Sequence, residues 1–329
     1  MPRRKSWRVI FGFLCAINLI PSVLIFNQHK EIFYKNVNCR YQDVGNCGWP
    51  YDCHYLCHEF KGQIGNQLFQ YASIYGLTRD RGLRMVLPKD MMLARFLKIE
   101  ADLTVDTCVC KYAKYVQEGP CCTVDANITA IGSHTDYYVN GFLQSWKYFY
   151  HYEQEIRNQF QFVDPVLFEA DFVLRSALNE KFVLHNRKYM TLVGVHVRRG
   201  DMLIPESVKF GYKVAPPSYV AKAMDYFRRK YKNVTFIICS DEFKWTKSII
   251  DIRHNDVIFM EGNSAVVDLA LLSTLDHTIM TIGTYGWWAG FLCNGETVYY
   301  KNFTKPGTLH SKGFDKEHKD FVYPTWTGL

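Results

Sequence analysis

Two adjacent arginines that close a buried apolar run are the residues best suited to chemistry in this chain. The motif HVRRGD at 196–201 places His196, Arg198, Arg199 and Asp201 where a strand gives way to a loop. Alternation along a strand directs His196 and Arg198 to one face and Arg199 to the other. A guanidinium can grip phosphate oxygens with two parallel hydrogen bonds. The pattern indicates a diphosphate site, with an arginine–aspartate pair that only fastens a loop as the structural alternative.

Two later apolar runs also end in polar groups. The first is followed by Asp241, whose carboxylate could accept hydrogen bonds from a ribose or from a guanine N–H edge, although an isolated Ser-Asp is more often a helix cap. The second is followed by GTYGWWAG at 283–290, where Thr284, Tyr285 and Gly286 open a helix and offer an anion site. The alternative for this segment is a tight turn that packs its two tryptophans into the core.

The charge on a diphosphate must be met by cations or by N–H donors. Asp-x-Asp, the pair with which many sugar-nucleotide transferases hold a divalent metal, occurs nowhere in the chain. We therefore expect arginine and backbone N–H groups to supply this role without a metal ion.

The elements that must position these groups follow from hydrophobic periodicity. Strands are predicted at 192–197, 234–239, 257–260, 278–282 and 297–300, and helices at 218–231, 265–274 and 286–293. This alternation predicts a parallel sheet with helices on both faces, and ligands of such sheets bind at the carboxyl ends of the strands. Upstream, the glycine loop at 61–66 opens a predicted helix at 67–79. The segment 83–165 has no clear period, so the pattern does not order its elements.

The N-terminus indicates a membrane topology. Four basic residues without an acid lie in a predicted cytoplasmic tail at 1–8, and an apolar run at 9–26 is long enough for a bilayer core of about 30 Å. We predict an uncleaved type II anchor, with a cleaved signal peptide as the alternative. Without the tail, 35 basic residues stand against 32 acidic ones, so the body is nearly neutral and lacks the basic stripe that nucleic-acid binding requires.

Cysteines and sequons agree with a luminal location. Ten cysteines follow the anchor, and eight of them crowd between residues 39 and 122, which is typical of disulfides in an oxidising compartment. The alternative is a zinc site formed by Cys53 and Cys57 with His54 and His58. Three sequons predict N-glycosylation, at Asn127, Asn233 and Asn302.

Taken together, these motifs resemble those of the alpha-1,2-fucosyltransferases, the galactoside 2-alpha-fucosyltransferases of glycosyltransferase family 11. The matching blocks are HVRRGD, the SDE-x-x-W block at 240–245, the long block from Asp268 to Gly290, and the opening glycine loop. The resemblance covers residues 58 to about 305. One position departs from it: members commonly carry arginine where this chain has Gln63.

The resemblance implies an α/β, GT-B-like architecture of two Rossmann-like lobes, with the donor in the cleft between them. Mixed charge and scattered Gly and Pro indicate a stem at 27–57, and the resemblance implies an acceptor-side lobe at 58–187 and a donor-binding lobe at 188–329. The donor would be GDP-fucose, and the acceptor would be a galactose-terminated glycan. No metal cofactor or nucleic-acid partner is expected. The implied localisation is the Golgi membrane with a luminal catalytic domain, and a homodimer is a further expectation.

By position, Arg198 should hold the GDP diphosphate and Arg199 should support it. His196, Asp241, Thr284, Tyr285 and Gly286 are candidates for the rest of the nucleotide, and Gly65 and Asn66 should approach the fucose from the other lobe.

Inverting transfer also needs a base at the acceptor hydroxyl. Asp201 is the first candidate and Glu206, on the loop that follows, is the second. Alternatives are a fucosyltransferase of protein O- or alpha-1,6-linkage and an inactive glycan- or nucleotide-binding homologue. A dinucleotide oxidoreductase would require a Gly-x-Gly-x-x-Gly motif, which is missing after the first strand.

Overall fold

The computed structural model describes residues 54–88, 90–99, 107–181 and 189–329. The predicted tail at 1–8, the anchor at 9–26 and the stem as far as residue 53 lie outside the described residues. Within these ranges no helix combines the length and apolar character needed to cross a bilayer.

The N-terminal half of the described chain forms a four-stranded parallel sheet. Its strands are β1 (Tyr55–His58), β2 (Arg84–Met85), β3 (Lys114–Gln117) and β4 (Tyr137–Asn140), in the order β2-β1-β4-β3. Leu56 lies opposite Met85 on one side and Tyr137 on the other, and its side chain is fully buried. The first strand thus begins inside the predicted stem. Residues 55–57 are all buried in the sheet and so belong to the folded part.

Helix α1 (Ile64–Arg81) connects β1 to β2 and packs against both strands. It begins three residues before the helix predicted at 67–79. It ends at Gly82, whose φ of 64° is the left-handed conformation that commonly terminates helices. The remaining helices of this half are α2 (Ala126–Thr129), α3 (Glu153–Gln159) and α4 (Asp164–Glu180), with 3₁₀ turns at Met92–Arg95, Thr107–Tyr112, Trp146–Tyr148 and Tyr150–Tyr152.

The C-terminal half forms a six-stranded parallel sheet, and the five predicted strands are confirmed. The strands are β5 (Thr191–Val197), β6 (Val234–Ser240), β7 (Val257–Phe259), β8 (His277–Met280), β9 (Thr297–Tyr299) and β10 (Thr327–Gly328), in the order β10-β9-β8-β5-β6-β7. The chain runs outward from β5 to β7 and then returns to place β8 on the opposite side of β5. The sheet therefore has a topological switch point between β5 and β8, which is where open α/β sheets bind ligands.

The helices of this half include the three that the pattern predicted, at 218–231, 265–274 and 286–293. They are α5 (Pro205–Phe210), α6 (Pro217–Lys230), α7 (Phe243–Ile249), α8 (Ala265–Ser273), α9 (Thr284–Cys293) and α10 (Leu309–Lys312). Helix α9 starts two residues earlier than predicted and packs against both β8 and helix α1. Its Trp287 and Trp288 are fully buried against Phe69 and Phe149, so the core interpretation of both tryptophans is confirmed.

Two segments join the halves in ways that the sequence pattern did not predict. Helix α4, which falls in the range assigned to the acceptor-side lobe, packs against α8 of the second sheet. The C-terminal segment returns to the first half, where the Asp320 carboxylate accepts the Val124 N–H at 2.8 Å and pairs with Lys147 at 2.5 Å. The predicted lobe boundary at 187/188 lies outside the described residues and stays a prediction.

The cysteine prediction is confirmed in part. Cys57 and Cys110 form a disulfide between β1 and the 3₁₀ turn at Thr107–Tyr112. Cys57 is therefore not available as a zinc ligand. Cys121, Cys239 and Cys293 are thiols, which corrects their inclusion among the cysteines predicted to form disulfides. Cys239 is buried in strand β6, and the Cys293 thiol donates to the Leu275 carbonyl at 3.1 Å, so these two thiols are held inside the second half.

Candidate active site

The loop after β5 is built around the guanidinium of Arg198. Its Nε and Nη2 atoms donate to the two carboxylate oxygens of Asp201 at 3.1 and 2.7 Å, and its backbone N–H donates to Thr281 Oγ1 at 3.0 Å. Burial lowers the pKa of Arg198, but the Asp201 carboxylate outweighs that effect and the pKa lies above its ordinary value. About a quarter of the side chain is exposed, so the cation remains accessible to a ligand.

Arg199 faces the opposite side of the sheet, as strand alternation predicted. Its Nη1 pairs with Glu242 at 2.5 Å, and its guanidinium lies 4.5 Å from the centre of the Trp245 ring on helix α7. Stacking and ion pairing together fix this side chain against α7. Arg199 is therefore a supporting residue, whereas Arg198 is the cation at the strand end.

Asp241 was expected to bind the nucleoside, with a cap of α7 as the alternative, and the structure contradicts the alternative. Its two carboxylate oxygens accept the backbone N–H groups of Arg199 and Gly200 at 2.9 and 3.0 Å. Burial raises the pKa of Asp241, and the two N–H bonds act in the opposite direction. The N-cap position of α7 is Glu242. Asp241 thus clamps the loop that presents Arg198.

His196 lies beneath the first turn of helix α9. Its ring centre is 4.8 Å from that of Tyr285, and a Cβ at Gly286 would lie 2.8 Å from His196 Nδ1. Burial lowers the pKa of His196 to about 3, with the Arg198 charge as a second cause, so the imidazole is neutral at physiological pH. Within the described part of the chain its Nδ1 has no hydrogen-bond partner.

The N-terminus of α9 contacts both the arginine and the glycine loop of the first half. Gly283 has a φ of 92° and lies directly against Arg198, since a Cβ there would be 2.5 Å from Nη1. Thr284 Oγ1 donates to Asn66 Oδ1 at 2.9 Å. Gly65 is packed so closely that a Cβ would be 2.6 Å from the Tyr285 nitrogen. The two motifs, more than two hundred residues apart, therefore meet at the start of α9.

Glu206, the second candidate base, lies in the first turn of α5 with an exposed side chain. The adjacent Ser207 hydroxyl donates to the Asp201 carbonyl at 2.8 Å and holds α5 beside the arginine loop. The structure thus brings together His196, Arg198, Asp201, Gly65, Asn66 and the Thr284–Gly286 turn, while Arg199 and Asp241 support them from behind.

The sequence analysis gave no functional role to two side chains of the site, those of Asp268 and Gln144. Asp268, quoted only as the start of a motif block, lies in the first turn of α8, where Asn263 Nδ2 donates to it at 3.0 Å and burial raises its pKa. The Tyr285 hydroxyl donates to the Ala265 carbonyl of the same turn at 2.6 Å. Gln144 lies after β4 and donates to Asn66 at 3.1 Å. Only the position of Asp268 at a helix start could have signalled its place.

The three predicted N-glycosylation sites lie on the surface, and their use stays a prediction. The three sequon asparagines, Asn127, Asn233 and Asn302, are exposed. In the ranges that the structure covers, no three His, Cys, Asp or Glu side chains are grouped as metal ligands.

Comparisons with known proteins identify the class. Residues 55–329 match the family model described as glycosyl transferase family 11, and the chain belongs to that family. It is 32% identical over 274 residues to "Galactoside alpha-(1,2)-fucosyltransferase 2" of Pongo pygmaeus, covering 82% of this chain and 77% of that protein. It is 34% identical over 274 residues to "Galactoside alpha-(1,2)-fucosyltransferase 1" of Bos taurus, covering 82% of this chain and 74% of that protein.

A solved structure supports the fold. POFUT1 in complex with GDP-fucose superimposes with a TM-score of 0.50 at 9% sequence identity, over 75% of this chain and 98% of that chain. At this identity the likeness concerns the fold alone, which is an α/β arrangement of parallel sheets.

Proposed function

We propose that this protein transfers L-fucose from GDP-fucose to the 2-hydroxyl of a terminal β-galactose, with inversion at the fucose anomeric carbon. Membership of glycosyl transferase family 11 and the names of the relatives support this reaction, and POFUT1, which shares the fold, is described with GDP-fucose bound. The observation that carries the proposal is the contact between Arg198 and Gly283 at the β5/β8 switch point, where a guanidinium meets a helix N-terminus.

The donor roles follow from this contact. Arg198 and the N–H groups at the start of α9 bind the diphosphate, because both offer positive potential to an anion that gains charge as fucose leaves. These groups take the place of a divalent metal. His196 and Tyr285 form the neutral, buried wall for the nucleoside, and the partly buried Asp268 carboxylate accepts the guanine N–H groups. Gly65 and Asn66 close the fucose side.

The acceptor step requires removal of a proton from galactose O2, which is a poor nucleophile while protonated. Asp201 serves as the base. In the ligand-free chain its carboxylate neutralises Arg198, and the doubly charged diphosphate competes for the same N–H donors when GDP-fucose binds. This exchange frees the carboxylate beside the reacting centre. Glu206 is the alternative base, since α5 carries it next to the same loop.

We further propose a Golgi location with residues 9–26 as a type II anchor. The apolar run and its basic flank support this topology. The Cys57–Cys110 disulfide supports an oxidising compartment for the folded part.

The proposal is tested by a transfer assay on the detergent-solubilised full chain. Labelled GDP-fucose is supplied with a panel of β-galactosides, with and without EDTA, and the product is treated with an alpha-1,2-specific fucosidase. We expect a fucosylated product that the fucosidase cleaves. The product should form at the same rate with and without EDTA. Product that resists the fucosidase would indicate another linkage. A chain that binds GDP but transfers to no galactoside would contradict the proposed function.

A further inference from the structure

A buried carboxylate lies at the carboxyl end of a strand of the first sheet, outside the set of residues given a role above. Glu118 follows strand β3 and is only 4% exposed. Its Oε2 accepts the backbone N–H groups of Phe142 and Leu143 at 2.7 and 3.0 Å, and its Oε1 has no hydrogen-bond partner within the described ranges. An ionisable oxygen left alone in the interior is costly, so its presence calls for a reason.

The carboxylate fills the space inside the turn after β4. A Cβ at Gly141 would lie 2.2 Å from Glu118 Oε2, so only glycine leaves room for the acid at this point. The backbone N–H of Glu118 also donates to the Asn140 carbonyl at 2.8 Å. Glu118 therefore holds the Gly141–Leu143 turn from within, through three hydrogen bonds that join β3 to β4.

This turn leads directly to the site. Leu143 is fastened to helix α1 by the Ser73 hydroxyl, which donates to its carbonyl at 2.8 Å. The next residue, Gln144, donates to Asn66 Oδ1 at 3.1 Å, and the same oxygen accepts the Thr284 hydroxyl at 2.9 Å. A continuous chain of hydrogen bonds and backbone thus runs from Glu118 through Gln144 and Asn66 to the first residue of α9.

We propose that Glu118 is a positioning residue whose ionised carboxylate holds the 141–144 turn, and through it Asn66, in the geometry required for transfer. Charge strengthens the two N–H bonds at Oε2, because bonds to an ionised acceptor are about twice as strong as neutral ones. Protonation weakens them and lets the turn and Asn66 move relative to α9. This inference rests on the proposed transferase function.

The surroundings of Glu118 place its titration near neutrality. Burial raises the pKa of Glu118 to about 7; the Leu143 and Phe142 N–H groups and Lys61 act against this, and Asp125 adds to it. The other titratable neighbour is Tyr148, whose own pKa burial raises far above neutrality, so its hydroxyl stays protonated. The turn itself contributes no titratable side chain. Activity should therefore fall as pH drops below about 7.

Folding stability should change in the opposite sense. The ordinary pKa of 4.5 is the unfolded value, so between about pH 4.5 and 7 the folded state binds more protons than the unfolded state. Stability contributed by this group is therefore greatest at low pH and declines as pH rises through that window. The ionised form of Glu118 positions Asn66, and burial destabilises this form more than the protonated form.

The test compares the full-length wild type with Glu118→Gln and with Glu169→Gln, a matched change on the exposed face of α4. Turnover at saturating GDP-fucose and acceptor is measured from pH 5.5 to 8.5. We expect the wild type and Glu169→Gln to lose activity below pH 7 with a one-proton dependence. Glu118→Gln should lack this acid limb, run about fivefold slower at pH 8 and keep the KM for GDP-fucose. A Glu118→Gln enzyme that keeps the limb, or that is fully active at pH 8, would overturn the inference.

A second measurement is independent of activity. The midpoint of thermal unfolding is compared between wild type and Glu118→Gln at pH 5 and pH 8, and the advantage of the variant should grow with pH. A wild type that transfers no fucose at any pH would refute the proposed function, while an unchanged midpoint difference would refute the titration of Glu118. If Glu118→Gln does not fold, Gln144→Ala breaks the same chain one link later. It should lower kcat and weaken the acid limb, because the protonation of Glu118 no longer reaches Asn66; wild-type turnover with an unchanged limb in that variant would overturn the proposal.

Discussion

The carboxyl edges of the two parallel sheets are built on opposite electrostatic principles. At the edge of the second sheet, Arg198 and the N-terminus of α9 converge on a partly exposed point, and the cation is balanced by the Asp201 carboxylate. At the edge of the first sheet the central ionisable groups are a buried acid and a buried imidazole, Glu118 and His58. Each of them leaves one polar atom without a partner in the described part of the structure.

The difference corresponds to the two substrates of the proposed reaction. A sugar nucleotide brings a diphosphate, and an accessible guanidinium with a helix N-terminus is a site for an anion. A neutral glycan brings only hydroxyl groups, and it needs shape and fixed geometry more than charge. Burial lowers the pKa of His58 to about 4, so its ring is uncharged at neutral pH and adds no cation to that edge. The first edge therefore offers mainly buried groups in fixed geometry, and the second edge offers a partly exposed positive charge.

The strongest test of the charged edge is removal of its carboxylate. Asp201→Asn should retain GDP affinity and lose kcat by about 10²- to 10⁴-fold, because the amide cannot accept the acceptor proton. Turnover and calorimetric GDP titration are measured together. Asp171→Asn, which alters an exposed Asp–Arg pair on α4, is the control. Normal transfer by Asp201→Asn together with an inactive Glu206→Gln would move the base to α5.

Replacing the guanidinium tests the anion site itself. Arg198→Lys keeps the positive charge and loses the planar fork, so kcat/KM should fall by about 100-fold or more and GDP should bind more weakly. Isothermal calorimetry with GDP and initial-rate kinetics report the two effects. Arg175→Lys, in the same exposed pair on α4, should leave both unchanged. An unaltered GDP affinity in Arg198→Lys would show that the diphosphate binds elsewhere.

The junction between the edges is tested at its closest approach. Gly65→Ala introduces a Cβ 2.6 Å from the Tyr285 nitrogen, so the start of α1 must move away from α9. A displacement of about 1 Å between catalytic groups can cost 100-fold in rate, and we expect a loss of about that size in kcat. Gly132→Ala is the matched control, because the nearest atom to its added Cβ is 3.5 Å away. Equal turnover in the two variants would show that the close approach of Gly65 to α9 is not needed for catalysis.

The smallest effect is expected where the C-terminal segment fastens the first half of the chain. Asp320→Ala removes the acceptor of the Val124 N–H and the partner of Lys147, which should lower the free energy of unfolding by about 1–3 kcal/mol. Urea denaturation measures the change. Asp171→Ala, in an exposed helical pair, should cost about 0.5 kcal/mol or less. A loss in Asp320→Ala no larger than in this control would mean that the C-terminal segment contributes little to the first half.

Local pattern predicted the second sheet well. Its strands are buried apolar runs separated by amphipathic helices, and periodicity reports such elements directly. The Arg198–Asp201 pair was also within reach, because its partners are only three positions apart in one loop. In the first half the strands are two to four residues long and mixed in polarity, so no period ordered 83–165, and the sheet order emerged only in the structure.

The amino-acid sequence by itself determined the motifs at the strand ends, the cation at the end of β5 and the family to which the chain belongs. The tertiary structure alone decided that Asp241 clamps a loop, that Cys57 pairs with Cys110, and that Gly65 lies against α9. It also decided that Glu118 is buried. The physical reason is that side-chain chemistry and local period are written in neighbouring residues. Burial, close approach and the pKa shifts that burial causes depend on segments that meet only when the chain has folded.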